Sequence, residues 1–441
     1  MKRVASYTLG CKVNQYETEA LVSTLTAMGY EAVSYSDFAD VYLINTCTVT
    51  GLADRKCRQV IRKAKKKNPD GIVVAMGCYA QVAPEEVAAI EDVNIVIGTH
   101  DRMQLPMLLQ SPELTKDTKW IRVGNIMQVR EFEELGIETY TEHTRAFLKI
   151  QDGCNRYCSY CIIPFARGPV RSRKPEKVIA EITELAQRGY QEFVLTGIHL
   201  ASYGAELEDM DLVKIIEEIA TIPGVERIRL GSIEPMTITP RFLDLVKRTP
   251  KLCPHYHISL QSGSDTVLKR MHRKYTTEEY YSQCESLKNI VPGVSLTTDV
   301  IVGFPGETEV EFQETIAFVE KVGFSKIHVF PYSKRKGTVA AKMPNQVAPE
   351  VKEERTSTLL SVSQNLGAAY AKTLIGTELQ VLIERKTADS AFYEGHAENY
   401  AHVYCEIPNS QCDLSGKICT VTIKQIFSED RPDVLIGTLH L

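Results

Sequence analysis

The chain has no run of apolar residues approaching the ~18 needed to span a bilayer, so a membrane helix is excluded as a reading of this sequence. It also lacks any large charge imbalance, with 51 Lys and Arg against 56 Asp and Glu for a formal net charge of −5. A uniformly basic nucleic-acid coat is thereby excluded, and any RNA contact must come from local patches. Tryptophan is nearly absent, represented by Trp120 alone, and there is no internal repeat or low-complexity tract. After Met1, Lys2 and Arg3 the apolar run is too short and too polar for a signal peptide, which points to the cytoplasm. What remains is the composition of a globular protein, 44% hydrophobic, whose 441 residues suffice for two or three cores.

Cysteine, by contrast, is plentiful, at twelve residues. In a reducing compartment these are not expected to form disulfides, so their spacing carries the information. GCNRYCSYC places Cys154, Cys158 and Cys161 as C-x3-C-x2-C. Chance puts such a triple in roughly one in a hundred chains of this composition. Zinc sites usually take four ligands in paired C-x2-C units, and no fourth Cys or His follows closely. Three thiolates suit a [4Fe–4S] cluster with one iron open to a small molecule. The motif resembles that of the radical S-adenosylmethionine (SAM) superfamily, which implies SAM as the molecule on the open iron.

The region beyond this motif alternates strand-like and helix-like patterns. Six β-like runs begin at Arg145, Glu192, Glu226, His255, Val294 and Ser325. Helical stretches such as 176–189 and 308–323 separate them, the latter with a capping box from Thr308 and Glu311. Six βα units predict a partial TIM-type barrel, whose chemistry lies at the carboxyl ends of its strands. Thr196, Gly197, Gly231, Glu234, Gln261 and Asp299 fall at such places. Singly they read equally well as loop or capping groups. Together they resemble the SAM-binding face of the superfamily, with glycines allowing close approach and the polar groups accepting ribose or ammonium hydrogen bonds.

At the amino end three β-like runs each finish in a cysteine, at Cys11, Cys47 and Cys78. Helix-like stretches at 17–29 and about 54–67 lie between them, predicting a doubly wound parallel sheet whose strand ends share one edge. The three thiols would then converge. Buried core cysteine is the competing reading for any one of them. Cys57 lies within a helix and is excluded from the set.

LGCKVNQYETE, LINTCTVTGLADRKCRQ, AMGCYAQ, the CxxxCxxC block, LTGIHLASYG, GSIEP, SLQSGSD, MHRKYT, TDVIVGFPGET and PYSKRKGT together resemble the methylthiotransferase family over nearly the whole chain. The residues around Cys11 are most similar to the branch acting on N6-threonylcarbamoyladenosine next to the tRNA anticodon. The resemblance implies two [4Fe–4S] clusters, on Cys154/Cys158/Cys161 and on Cys11/Cys47/Cys78, together with SAM, a tRNA anticodon arm and an external electron donor. It also implies hydrogen abstraction from an adenine carbon beyond the reach of acid–base groups. Other substrates in the family are isopentenyladenosine in tRNA and an aspartate of ribosomal protein S12, and a non-catalytic iron–sulfur RNA-binding protein is a further alternative.

Residues 1–112 are thus read as the first domain, 113–142 as a linker with little regular pattern, 143–372 as the radical SAM domain and 375–441 as a small OB-like β-barrel. The run 393-YEGHAENYAHV resembles a TRAM domain, and Tyr393, His396, Asn399 and Tyr400 are candidates to meet RNA bases, against the plainer reading of surface aromatics. Cys405, Cys412 and Cys419 match no metal spacing, and with Cys253 and Cys284 they read as ordinary thiols. A basic run over 55–67 offers Arg58, Arg62, Lys63 and Lys66 to RNA phosphates, or is simply a solvated helix face.

Overall fold

The computed structural model describes residues 1–137, 144–387, 391–406 and 413–440. Its amino-terminal strands are β1 (Arg3–Thr8), β2 (Glu31–Val33), β3 (Val41–Thr46), β4 (Ile72–Gly77), β5 (Ile95–Ile97) and β6 (Trp120–Arg122). They form one sheet in the order β2-β1-β3-β4-β5-β6, every pair parallel. Near-continuous apolar sequence in β3 and β4 suits strands covered on both faces. Helix α1 (Lys12–Ala27) begins five residues earlier than periodicity predicts, with Cys11 as its N-cap. Helix α2 (Gly51–Lys67) is capped by Thr50, whose hydroxyl accepts from the Ala53 amide, and buries Cys57, Val60, Ile61 and Ala64.

One expectation changes here. The segment after residue 112 is not wholly irregular, because β6 extends the sheet by pairing with β5. Three residues are too few to show a period. Asn94 holds the segment instead: its side chain donates to Lys116 O at 2.8 Å, and its own carbonyl accepts from the Trp120 amide at 2.8 Å.

The central region carries β7 (Ala146–Asp152), β8 (Arg171–Ser172), β9 (Glu192–Gly197), β10 (Arg227–Leu230), β11 (His255–His257), β12 (Ser295–Val302) and β13 (Lys326–Pro331). The sheets β10-β9-β7-β8 and β11-β12-β13 are joined by single parallel bridges, Ile228 to Leu252 and Ile233 to Ile258. All six expected strands are present, parallel, around one continuous apolar core. The short β8 is antiparallel to β7 and had no sequence signal. The capping box of Thr308 and Glu311 is formed.

After the long helix Pro349–Thr373 come β14 (Glu378–Lys386), β15 (Phe392–Ala397), β16 (His402–Glu406), β17 (Ile418–Ser428) and β18 (Arg431–His440), closed into a barrel. This barrel is docked on the central region through Arg229. Its guanidinium bonds Glu192 Oε1 at 2.9 Å and donates to the carbonyls of Glu398 and Ala397 at 3.0 and 3.2 Å.

A buried ionic network joins the first region to the second. Glu17 of α1, fully buried, bonds Lys149 of β7 at 2.7 Å and pairs with Arg102 and Arg167. Lys149 also reaches Asp152 at 2.6 Å, Arg171 reaches Asp152 at 3.3 Å, and Arg102 reaches Glu133 at 2.6 Å. Burial alone would raise the Glu17 carboxyl, but Arg102, Arg167 and Lys149 outweigh it and hold that carboxyl well below the usual carboxylate range. Asp152 behaves likewise under Lys149, Arg167 and Arg171.

Removing one partner leaves the others buried without compensation, so Glu17→Gln should cost about 3–5 kcal/mol, read as a lower urea midpoint. Depressed folded values mean that this stabilisation is present above the unfolded carboxylate range and is lost as the pH falls through the folded values. An unchanged midpoint, or acid sensitivity equal in the variant and the parent, would refute the assignment.

Candidate functional site

Cys11, Cys47 and Cys78 stand just past the carboxyl ends of β1, β3 and β4, three consecutive strands of the parallel sheet. The strand order β2-β1-β3-β4-β5 reverses direction between β1 and β3, where doubly wound sheets open their ligand crevice. Two glycines make the approach possible. Gly10 has φ +103°, and a Cβ there would meet Cys47 Cβ at 2.9 Å; Gly77 has φ +97°, and a Cβ there would meet Asn45 Oδ1 at 2.3 Å. Cys11 is exposed, whereas Cys47 and Cys78 are buried. Burial, followed by the nearness of Cys78 and Cys11, pushes the Cys47 thiol up to about 12. Burial also raises Cys78, against the pull of Arg167, whose Nε donates to its Sγ at 3.2 Å. Cys57 lies in α2 as expected, buried, with its thiol donating to the Cys47 carbonyl at 3.4 Å.

Cys154, Cys158 and Cys161 share the loop that follows β7. Ser159 fixes the loop to Met271 and Arg270 by bonds of 3.0 and 2.8 Å, and the Ala340 amide donates to Ser159 O at 2.8 Å. Arg273 donates to Cys158 Sγ at 3.3 Å. Burial pushes the Cys154 thiol up to about 11 and that of Cys161 to about 12. Each triad is therefore three soft thiols with a guanidinium alongside and no hard oxygen donor among them, a donor set that fits an iron–sulfur cluster. Among the described residues no group of three or more His, Cys, Asp or Glu side chains stands close enough to hold a metal ion.

A cavity of about 590 Å³ opens between the three regions. Its wall takes Gly10, Cys11 and Lys12 from the first, Thr196, Gly197, Gly231 and Asp299 from the second, and His396, Tyr400 and His402 from the third. Glu234 and Gln261 lie outside that lining. Glu234, expected to accept from a ribose or ammonium group, is bonded within the chain: Arg273 bonds its Oε1 at 3.0 Å, while His199 and Arg156 bond its Oε2 at 3.0 and 2.9 Å. Burial would raise its carboxyl, but His199 and Arg273 bring it down to about 2. Gln261 has φ +74°, and its backbone bridges to Val300. Gly197 admits the Gln151 side chain, whose Cβ would lie 2.9 Å from an added methyl group, so the close approach there is made by the chain itself.

Of the residues expected to meet RNA bases, Tyr393 is only 2% exposed and packs in the core of the carboxyl-terminal barrel, so its ring is not offered to a base. Asn399 is buried as well. Tyr400, at φ +67°, instead enters the shared cavity, its ring 4.8 Å from those of His255 and His396 and 4.6 Å from the Arg229 guanidinium carbon. On α2, Arg62, Lys63 and Lys66 are exposed; Arg58 is half-buried and bonded to Tyr79 and Glu86. Lys66 lies fifteen residues beyond Gly51, about 22 Å along the helix from the mouth of the sheet. Cys253, Cys284 and Cys405 are buried thiols, Cys419 is half-buried, and Cys412 lies outside the described residues. Sequence reasoning missed Lys12, Glu17, Lys149, Asp152, Arg167 and Arg273. Isolated charged residues carry no spacing signal, although Lys12 and Glu17 stand within LGCKVNQYETE.

Residues 148–319 match the family model of the radical SAM superfamily, and residues 3–98 that of the uncharacterized protein family UPF0004. The chain is 47% identical over 428 residues to a threonylcarbamoyladenosine tRNA methylthiotransferase MtaB of Bacillus subtilis, covering 96% of this chain and 94% of that protein. An Aquifex aeolicus protein of the same name is 40% identical, over 91% of this chain and 98% of its own. A tRNA-2-methylthio-N(6)-dimethylallyladenosine synthase of Thermoanaerobacter pseudethanolicus is 39% identical, over 86% and 81%. Among solved structures, the radical SAM methyltransferase TsrM of Kitasatospora setae superposes with a TM-score of 0.54 at 14% identity, over 77% of each chain, a likeness of fold alone. With relatives this similar over most of their lengths, the chain belongs to the radical SAM methylthiotransferase family.

Proposed function

We propose that the chain converts N6-threonylcarbamoyladenosine next to the tRNA anticodon to its 2-methylthio derivative, with one [4Fe–4S] cluster on Cys154, Cys158 and Cys161 and a second on Cys11, Cys47 and Cys78. The observation that carries this reading is the cavity shared by Cys11, the strand ends Thr196, Gly197, Gly231 and Asp299, and Tyr400 of the barrel. One enclosure thus borders a thiol of the first triad, the expected SAM face and a domain suited to RNA. Held on these two sets of cysteines, the clusters would, with SAM, supply the hydrogen-atom abstraction and the sulfur that no side chain can provide.

The residues of the chain then have separate tasks. Arg273, braced by Glu234, keeps positive charge beside Cys158; Arg167, braced by Glu17, does the same beside Cys78. Burial raises the Cys78 thiol, and Arg167 pulls against that rise. His257 bonds Asp299 at 3.2 Å and Thr297 at 3.0 Å, orienting the Asp299 carboxylate in the wall for a hydroxyl or ammonium group. Thr196, Gly197 and Gly231 supply a small-residue surface for the nucleoside of SAM, while Gln261 shapes the end of its strand. Tyr400 offers an aromatic face to a base extruded from the anticodon loop.

Nucleoside analysis of tRNA from a host without its own methylthiotransferases tests the substrate. Expression of the chain should produce 2-methylthio-N6-threonylcarbamoyladenosine. Appearance of the methylthio-isopentenyl nucleoside instead, or modified ribosomal protein S12 with unchanged tRNA, overturns the reading.

Two sets of variants test the residues. Anaerobic reconstitution should load about eight irons per chain. Replacing Cys154, Cys158 and Cys161 by Ala should halve that and abolish reductive SAM cleavage. Replacing Cys11, Cys47 and Cys78 should also halve it but keep SAM cleavage while losing sulfur insertion; retained methylthio product there refutes a second cluster. Replacing Arg62, Lys63 and Lys66 by Ala should flatten the salt dependence of tRNA affinity by about two units, at ~0.7–0.9 per lost phosphate contact. An unchanged slope makes that run a solvated helix face.

A further inference from the structure

Among the described residues, one cation of the cavity wall has no carboxylate within ion-pair distance. Lys326 lies 3.7 Å from Asp433, and the carboxylate of Asp299 is paired with His257. Arg145 and Arg229, which flank Tyr400, are both bound to Glu192. Lys12 differs. Among the described residues its ammonium has no carboxylate within ion-pair distance, and its partners are two aromatic rings, Phe147 and Tyr400, each at 5.7 Å. It is also the first residue of α1, next to an N-cap that supplies no side-chain hydrogen bond. A cation there is opposed by the positive end of its own helix. Two like charges facing a cavity raise the free energy of the empty site and lower that of a site holding an anion.

A second group in the same wall also lacks a partner. His255 is 7% exposed; its Nε2 lies 3.3 Å from Thr297 Oγ1, but its Nδ1 bonds nothing among the described residues. Its ring lies 4.8 Å from that of Tyr400, so Lys12 and His255 both stand beside that tyrosine. An unpaired ammonium and an unpaired ring nitrogen around a tyrosine ring describe a place for a planar group carrying a negative charge and further polar atoms.

We infer that Lys12 binds the carboxylate of the threonylcarbamoyl side chain, with His255 taking a polar atom of the same side chain, and so selects carboxylate-bearing adenosine over adenosine with an apolar N6 substituent. The inference rests on the substrate reading above and adds the residue that enforces it. An isopentenyl group in the same place would leave the Lys12 ammonium dehydrated and unpaired. Sites built to hold a polar group reject analogues lacking it far more strongly than apolar pockets reject a small misfit.

The test uses the cluster-loaded full chain and anticodon stem–loop RNAs that are identical except at one adenosine. That adenosine carries the threonylcarbamoyl acid, its methyl ester, or no substituent, and fluorescence anisotropy gives the affinities. The parent chain should bind the acid roughly tenfold or more tighter than the ester, the worth of one charge-assisted contact. Lys12→Gln should bring that ratio close to one, and Lys12→Arg should keep most of it. An unchanged ratio in Lys12→Gln, or no preference in the parent, overturns the inference. If Lys12→Gln keeps the ratio but weakens SAM binding by equilibrium dialysis, the ammonium serves the carboxylate of SAM and the inference again fails. Should Lys12→Gln lose iron, the acid-to-ester ratio of the parent and the Lys12→Arg variant still decide. Failure of the substrate reading is distinguished by the nucleoside analysis, since a host whose tRNA carries the methylthio-threonylcarbamoyl product can coexist with a parent chain indifferent to the carboxylate.

Discussion

The buried carboxylate of Glu17 is the constraint on which the rest of the site depends. It sits on α1, six residues after Cys11, and is held by Lys149 of β7 and by Arg167, which follows the Cys154–Cys161 loop. Through one side chain, the segment bearing the first triad is fixed against the strand and loop bearing the second. A charge this deep is tolerated only because four cations, Arg102, Lys149, Arg167 and Arg171, surround three carboxylates, Glu17, Asp152 and Glu133. Such networks do not stabilise more than apolar packing of equal volume would. What they give is geometry, because each carboxylate must face its own cations or pay a desolvation penalty of several kcal/mol per ion.

The one cation in excess explains a second feature. Arg167 shares its guanidinium between Glu17, Asn14 and the sulfur of Cys78, and Arg273 shares its own between Glu234 and the sulfur of Cys158. The two triads are unrelated in sequence and stand in different domains, yet each has a carboxylate–guanidinium–sulfur chain. A thiol buried among apolar groups keeps its proton. A guanidinium already fixed by a carboxylate presents the sulfur with positive charge at little further entropic cost. The same arrangement would stabilise the electron density on the proposed clusters, whose potentials respond to hydrogen bonds on sulfur.

Most of the fold was legible in the sequence because its signals are periodic or punctuated. The six central strands, the three cysteine-ended strands and the closed terminal barrel were all readable from apolar runs between turns. The placement of the six cysteines, in one loop and after three strand ends, was legible for a similar reason, since spacing or strand ends mark them. The residues that were not legible act singly and at long range. Arg167 meets Glu17 across 150 positions, and Arg229 meets Glu398 across 169. No local pattern announces such contacts. Tyr393 and Tyr400 show the limit from the other side: both are tyrosines in one motif, but β15 turns the first into its barrel's core, whereas the left-handed turn at the second sends its ring into the cavity.

That left-handed turn bears on how RNA would reach the site. The barrel is pinned to β10 through the Arg229 bonds to the carbonyls of Ala397 and Glu398, the residues that open the turn closed by the Tyr400 amide on the Ala397 carbonyl. Tyr400 is consequently held in the cavity by the domain interface rather than by its own strand, its ring 4.8 Å from that of His255 of the central region and 4.8 Å from that of His396 of its own domain. A base stacked inside a duplex or a closed loop cannot reach a ring so placed, so the target nucleotide must be extruded. The exposed lysines of α2 lie too far along their helix to touch that nucleotide, with Lys66 about 22 Å from the sheet edge. Under the proposed function their reach would suit the phosphates of the stem instead. On that reading, base choice and stem grip would fall to separate parts of the chain, one fixed by the docking of the barrel and the other by the length of a single helix.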